Sequence, residues 1–306
     1  MKMQRYEAET NGFHGVWYPL AKQSEKAIIA MLGDSSDDYL ARSGAKWLHE
    51  LECHVLTMSP AKKDYGHHSY PLERFEKAIA FLHSQGIKKI GIVGASTTGM
   101  LSLVAASYFP DITLTIALSP SDFVMEGFYQ DGKDGAHERP GDNESSFTYK
   151  GEPLPYLPYA YRHPEYWQKI QEATKGSGDF IRSIELFDES ERRHPLKEEE
   201  LIKVENIKGH ILFIGAKDDV LWDTCRYIRR MEERLQRLPH DCTYEALCYE
   251  HGTHFVFPQS MLEKMLPIGS ALFISFMFKD AKKYKKECLQ TRIDIDKHIK
   301  ETLRNW

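Results

Sequence analysis

The sequence predicts an α/β protein: a mostly parallel sheet covered by helices on both faces. Two observations carry this. Short runs that are apolar on both faces alternate with segments of helical spacing, the pattern of strands buried under helices. Between Lys89 and Met100, one such run ends in a turn of small residues and passes straight into a helix. With 306 residues and 42% hydrophobic content, the chain suffices for one large α/β domain spanning 1–306.

Phe13 to Leu20 alternates as an edge strand, and Lys26 to Gly33 reads as a buried strand followed by the loop Asp34-Ser35-Ser36-Asp37-Asp38. Helical spacing runs from Ala41 to Leu51, and His54 to Met58 is the next strand. Pro71 opens a helix whose apolar face is Leu72, Phe75, Ile79 and Leu82, and Gly86 stops it. Ile90 to Val93 is a strand, its helix reaches Phe109-Pro110, and Ile112 to Leu118 is another strand.

From about 121 to 208 the rhythm breaks. Gly127 to Gly151 is rich in Gly, Asp and charge, and the Pro/aromatic run Pro153 to Tyr161 suits neither a helix nor a central strand. Short helices are expected at His163 to Lys175 and near Glu198 to Glu205. An insertion this long without strand periodicity is expected to be a lid over the strand ends. Its aromatics Phe147, Tyr156, Tyr159, Tyr161 and Trp167 either wall a pocket or fix the lid to the domain.

The sheet resumes at His210 to Gly215. A helix follows with Ile228, Met231, Leu235 and Leu238 on one face, then a last strand from Cys242 to Tyr249. Leu262 to Trp306 is expected to be helical, and its basic run Lys282, Lys283, Lys285 and Lys286 reads as a solvated face.

A net charge of −5 gives no electrostatic reason to expect nucleic acid. The five cysteines, Cys53, Cys225, Cys242, Cys248 and Cys288, are odd in number and lack metal-ligand spacing, as reduced thiols in a cytoplasmic protein do. Met1 to Ala21 has no apolar core of a secretory signal. The apolar run Met265 to Phe278 is too short for a bilayer span and is interrupted by Pro267 and Gly269. His67-His68 lacks a third ligand at useful spacing and reads as surface loop, so no metal and no cofactor are expected.

The turn Gly94-Ala95-Ser96-Thr97-Thr98-Gly99 has the form of a nucleophile elbow, which lifts a serine hydroxyl over the first free amides of a helix. The usual spacing is Gly-x-Ser-x-Gly; here Thr98 holds the last position and Gly99 comes one residue later. A serine hydroxyl needs a base, and the base needs a carboxylate to hold its tautomer. The chain supplies Ser96, then Asp218 or Asp219, then His254, each after an expected strand and in the chain order serine, acid, histidine.

The stretch Ile207 to Trp222, with its Asp-Asp-x-x-Trp, resembles the acyl-CoA thioester hydrolase / bile-acid-CoA:amino-acid N-acyltransferase family in its C-terminal α/β-hydrolase domain. Phe147 to Pro155 and Tyr249 to His254 are similar too, and the resemblance runs from about Lys26 to Phe278. It implies an α/β-hydrolase fold with Ser96 as nucleophile, His254 as base, and Asp218 as acid in the family's Gly-x-x-Asp, counted from Gly215. Asp219 and His251 are then neighbours that tune or cap the loop. The family's elbow residue is serine or cysteine; serine goes with handing the acyl group to water, so Ser96 implies hydrolysis. The family's glycine-rich loop corresponds to Asp34 to Asp38, where an amide of Asp34 or Ser35 would join that of Thr97 in an oxyanion hole.

The resulting expectation is a serine hydrolase of an acyl thioester or ester, with acyl-CoA as first substrate class. The alternatives are a carboxylesterase of small or aromatic esters and a catalytically quiet binding protein. Arg139, Lys150, Arg162 and Lys169 on the lid are the candidates for holding CoA phosphates. Neither nucleic acid nor a membrane span is expected, and a homo-oligomer is left open.

Overall fold

The computed structural model describes residues 3–60, 67–265 and 270–306. The first part of the chain comprises β1 (Gln4–Tyr6), the short helix α1 (Ala8–Asn11), β2 (Gly15–Tyr18), β3 (Lys26–Met31), α2 (Tyr39–Glu50) and β4 (His54–Thr57). Asp38 starts α2 by accepting a hydrogen bond from the Ala41 amide at 2.7 Å, which satisfies one of the donors a helix N-terminus leaves open. The strand expected at the sheet edge is β2, but β1 pairs antiparallel outside it, so β2 is an inner strand. Three residues of mixed polarity gave β1 no period to read.

Next come β5 (Tyr70–Pro71), α3 (Glu73–Ser84), β6 (Lys89–Ala95), α4 (Thr97–Tyr108) and β7 (Ile112–Leu118). Helix α3 buries Ala78 with Phe75, Ile79 and Leu82, three of the four residues its spacing predicts; it begins later than expected, with Pro71 in β5 and Leu72 at its N-cap. Beyond the insertion lie β12 (His210–Ala216), α7 (Thr224–Arg237), β13 (Thr243–Tyr249), α8 (Gln259–Met265), α9 (Ser270–Met277), α10 (Lys279–Lys283) and α11 (Lys285–Asn305). Pro267 and Gly269 lie outside the described residues. The four lysines of the basic run are exposed.

The main sheet has eight strands in the order β1-β2-β4-β3-β6-β7-β12-β13. From β4 to β13 every neighbouring pair is parallel, with antiparallel pairs only at the β1/β2/β4 end. Both faces are covered by large apolar clusters, one including Ile29, Ile92 and Phe213, the other Ile28, Val93 and Leu212. Alternate residues of one strand thus enter opposite cores, which is why these strands read as unbroken apolar runs.

Between β7 and β12 the insertion is better ordered than its composition suggested. It holds β8 (Glu126–Tyr129) paired with β9 (Arg139–Ser145), and β10 (Phe147–Tyr149) between β11 (Glu152–Pro153) and β5. Helix α5 (Glu165–Thr174) fills the span expected from His163 to Lys175. Helix α6 (Ile184–Arg193) was not anticipated, and 198–205 forms only two short 3₁₀ turns. Four-residue or shorter stretches of strand with irregular register, such as β8 on β9, leave no usable alternation in a sequence.

Among the described residues no helix is long and apolar enough to cross a membrane, and no group of His, Cys, Asp or Glu could hold a metal ion.

Candidate active site

Ser96 sits between β6 and α4 with φ 60° and ψ −126°, a strained conformation for a residue carrying a side chain. The turn is possible because its neighbours are small. A Cβ on Gly94 would lie 2.1 Å from the Thr98 carbonyl oxygen, and one on Gly99 would lie 2.7 Å from that of Leu118. Gly99 therefore provides the close strand–helix approach, and position 98 is released for another task. The Thr98 hydroxyl accepts from the Ala95 amide at 3.0 Å and donates to the Met31 carbonyl at 2.6 Å, tying the elbow to the end of β3. The Ser96 amide donates to Leu118 at 2.8 Å, whereas that of Thr97, at the first position of α4, lies ahead of the first helical hydrogen bond, Met100 to Ser96.

His254 is 4% exposed. Its Nδ1 donates to Asp219 Oδ2 at 2.8 Å, and its buried Nε2 has no hydrogen-bond partner. Asp219, 3% exposed, also accepts from the Thr224 hydroxyl at 2.6 Å and from the Leu221 amide at 2.9 Å. Trp222 packs edge-on to the imidazole with centroids 4.8 Å apart, and Ser119 donates to the His254 carbonyl at 2.8 Å. The imidazole is thus fixed in ring plane and tautomer.

The structure corrects the expectation that Asp218 is the carboxylate on His254. Asp218 Oδ1 accepts instead from the amides of Gly252 and Thr253, at 2.9 and 2.7 Å. Burial raises the pKa of Asp218, while these two amides and His251 oppose the rise. Adjacent residues of a turn point apart: one carboxylate holds the backbone of the histidine loop, the other its imidazole. His251 stacks on Tyr284 with centroids 3.8 Å apart and stands beside Asp218, away from His254.

The loop after β3 is likewise narrowed. The Ser35 amide donates to Asp38 Oδ2 at 2.9 Å, so Ser35 is not available as the oxyanion donor expected of it. Asp34 lines the cavity beside Ser96. Desolvation raises its carboxyl pKa, with a smaller push from Asp38.

His67 corrects another expectation. It is 4% exposed rather than on the surface, stacks on Phe128 with centroids 5.1 Å apart, and places Nε2 3.3 Å from the Thr97 hydroxyl. Burial lowers its pKa to about 3, so the ring is neutral. No spacing in the sequence marks it, because its ring packs on Phe128 and Phe147 in the insertion.

Ser96, Thr97, Asp34, His67 and His254 all line one cavity of about 620 Å³ at the carboxyl ends of the parallel strands. Its walls are largely apolar: Met31, Leu262 and Met265 from the core side, Met125, Phe128, Tyr159 and Phe187 from the insertion. Of the five aromatics singled out from the sequence, Tyr159 lines the cavity. Phe147 is buried in the core, and Tyr156, Tyr161 and Trp167 pack against it. No lysine or arginine occurs among the described lining residues. Arg139 is paired with Asp131 (2.6 Å), Arg162 with Glu126 and Lys169 with Glu172 (2.8 Å), while the Lys150 ammonium lies 5.2 Å over the Tyr149 ring.

The profile of the family described as BAAT / Acyl-CoA thioester hydrolase C terminal matches residues 70–262, more than half of the chain. The chain belongs to this family. With the fold, that membership makes it an α/β-hydrolase enzyme. Among solved structures, a sugar hydrolase from Lactococcus lactis is similar at 12% identity and TM-score 0.51, over 99% of this chain and 100% of that chain. An α/β hydrolase from a Medee basin deep-sea metagenome library (14% identity, TM-score 0.49) covers 100% of this chain with 99% of its own. An esterase from Pyrococcus furiosus (14%, 0.47) covers 99% with 96% of its own. The first likeness shows the fold. No curated protein matches the sequence.

Proposed function

We propose that this family member is a serine esterase that cleaves carboxylic esters with an apolar acyl group, by way of an acyl-enzyme on Ser96. The observation that carries this is His254: its Nδ1 is held by buried Asp219 and its Nε2 is buried and unpartnered, in an apolar cavity that Ser96 also lines. Nε2 takes the Ser96 proton as the hydroxyl attacks the ester carbonyl, then returns it to the departing alcohol. A water activated by the same imidazole hydrolyses the acyl-enzyme. Asp219 stabilises the imidazolium in both halves. The amides of Thr97 and Asp34 receive the oxyanion, and each such donor typically supplies about 3 kcal/mol to the transition state.

The leaving group decides between ester and acyl-CoA thioester. Phosphates of CoA call for cations at the pocket, yet the described lining supplies none, and the lysines and arginines expected to serve are engaged elsewhere. This favours an ester over the thioester that the family resemblance put first.

The test is labelling by a fluorophosphonate probe together with turnover of p-nitrophenyl butyrate and butyryl-CoA, in wild type and Ser96→Ala. Wild type should label and should turn over the ester faster than the thioester, while Ser96→Ala should do neither. Equal labelling of both proteins would end the nucleophile assignment.

A further inference from the structure

The insertion places a carboxyl group in the wall of this cavity. Glu138 is half-buried, and its Oε1 accepts from the Tyr166 hydroxyl at 2.6 Å. Its other oxygen has no partner among the described residues. The Tyr166 ring packs on that of Tyr159, with centroids 5.0 Å apart, and Tyr159 itself lines the cavity. Burial raises the pKa of Glu138, opposed by the Tyr166 hydroxyl and by the charge of His137, so a cation beside this carboxyl is stabilising.

The surroundings favour one sign of charge. Asp34 is a second carboxyl on the same cavity, and no lysine or arginine is found among the described lining residues. The lining also has a direction. Met31, Met125, Leu262 and Met265 are buried and apolar, whereas Asp34 and His137 are exposed and mark the open end. An apolar acyl chain suits the buried end, and the alcohol suits the side nearer the open end, where half-buried Glu138 follows exposed His137 and the buried Tyr159 also lines the cavity. A carboxylate flanked by tyrosine rings in an otherwise apolar hollow is the chemistry that binds an ammonium group, through ion pairing and the negative faces of the rings.

We propose that Glu138 and Tyr159 receive a cationic ammonium group on the alcohol half of the substrate, so that the enzyme selects esters of amino alcohols. The inference rests on the Ser96 esterase reading and adds the substrate class to it.

The test compares choline butyrate with 3,3-dimethylbutyl butyrate, in which carbon replaces the charged nitrogen. In wild type the choline ester should have a KM about tenfold lower than its isostere, the scale of one desolvated cation–π and ion-pair contact. Glu138→Gln keeps an oxygen for the Tyr166 hydroxyl and should bring the ratio of the two KM values close to one. Equal KM values in wild type, or a preference that persists in Glu138→Gln, would overturn the proposal and leave the esterase reading intact. If neither ester is turned over, the esterase reading fails. Calorimetric titration of both esters into Ser96→Ala then decides the ammonium site by itself, with equal affinities counting against it and tighter choline-ester binding for it.

Discussion

The Asp218 carboxylate accepts a hydrogen bond from the Thr253 amide at 2.7 Å, one residue before the imidazole that Asp219 holds at 2.8 Å. Two neighbouring acids thus fasten one loop at two points. Thr253 has φ 59°, an unfavourable backbone conformation for a threonine, so the loop needs such an anchor to stay in place.

The two acids should therefore separate in kinetics. Asp219→Asn presents a donor to Nδ1, leaves the imidazole in the wrong tautomer, and should lower kcat by about 10⁴-fold with little change in KM. Asp218→Asn keeps an oxygen for both loop amides and should stay within a few-fold of wild type. Asp218→Ala removes that acceptor and should cost more than Asp218→Asn. Ester kinetics on the three variants check this. A collapse in Asp218→Asn with a mild Asp219→Asn would exchange the roles.

How far the sequence discloses this site depends on which property each residue expresses. Ile90 to Val93, Ile112 to Leu118 and His210 to Gly215 are buried on both faces, so their strands show directly as apolar runs, and Ser96 follows from the turn that ends one of them. The pair Asp218-Asp219 is opaque because sequence carries no information about which way each side chain leaves a turn. The motif count from Gly215 selected the wrong neighbour. His67 is hidden for a different reason. Its ring packs on Phe128 and Phe147, about sixty to eighty residues away and in a part of the chain without periodicity.

Thr98 explains why the elbow departs from the usual spacing, and it offers a second test. Its hydroxyl is buried between the Ala95 N–H and the Met31 C=O, with the Ala95 C=O also 2.8 Å away. Thr98→Val keeps the shape and strands both, so stability should fall by about 1–3 kcal/mol. Thr98→Ser keeps the hydroxyl and should recover most of that loss. Urea denaturation of the three proteins measures it. Thr98→Val as stable as wild type would show that the bridge to β3 contributes nothing.

His67 predicts a pH dependence of stability. Its unfolded pKa is near 6.5 and burial holds the folded value at about 3. Between these values only the unfolded chain takes up the proton, so acid favours unfolding. The contribution is fully present above pH 6.5 and is lost as pH falls toward 3, by about 1.4 kcal/mol per pH unit for this one group. His67→Gln has no such proton to gain. The loss of stability from pH 7.5 to pH 5 should therefore be smaller in His67→Gln than in wild type, as read from urea midpoints. Identical slopes would mean that His67 is protonated in the folded protein.

The insertion hangs on a carboxylate with no exposed surface. Glu126, in β8, accepts from the Asn143 amide at 2.9 Å and the Tyr159 amide at 2.7 Å, and pairs with Arg162. One side chain thereby joins β9, the cavity-lining Tyr159 and the segment leading into α5. Glu126→Ala would leave the buried Tyr159 amide and the part-buried Asn143 amide without an acceptor. The half-exposed Arg162 and the exposed Asn143 regain water, so the Tyr159 amide dominates the cost, at about 2 kcal/mol. Glu126→Gln retains an acceptor for one amide and should lose less. Because Tyr159 moves with its amide, Glu126→Ala should also raise KM for apolar esters and speed proteolytic cleavage within 126–162. Denaturation, ester kinetics and limited proteolysis of the two variants read these effects separately. If Glu126→Ala lowered stability without changing either KM or cleavage, the carboxylate would be holding the fold together without shaping the cavity wall.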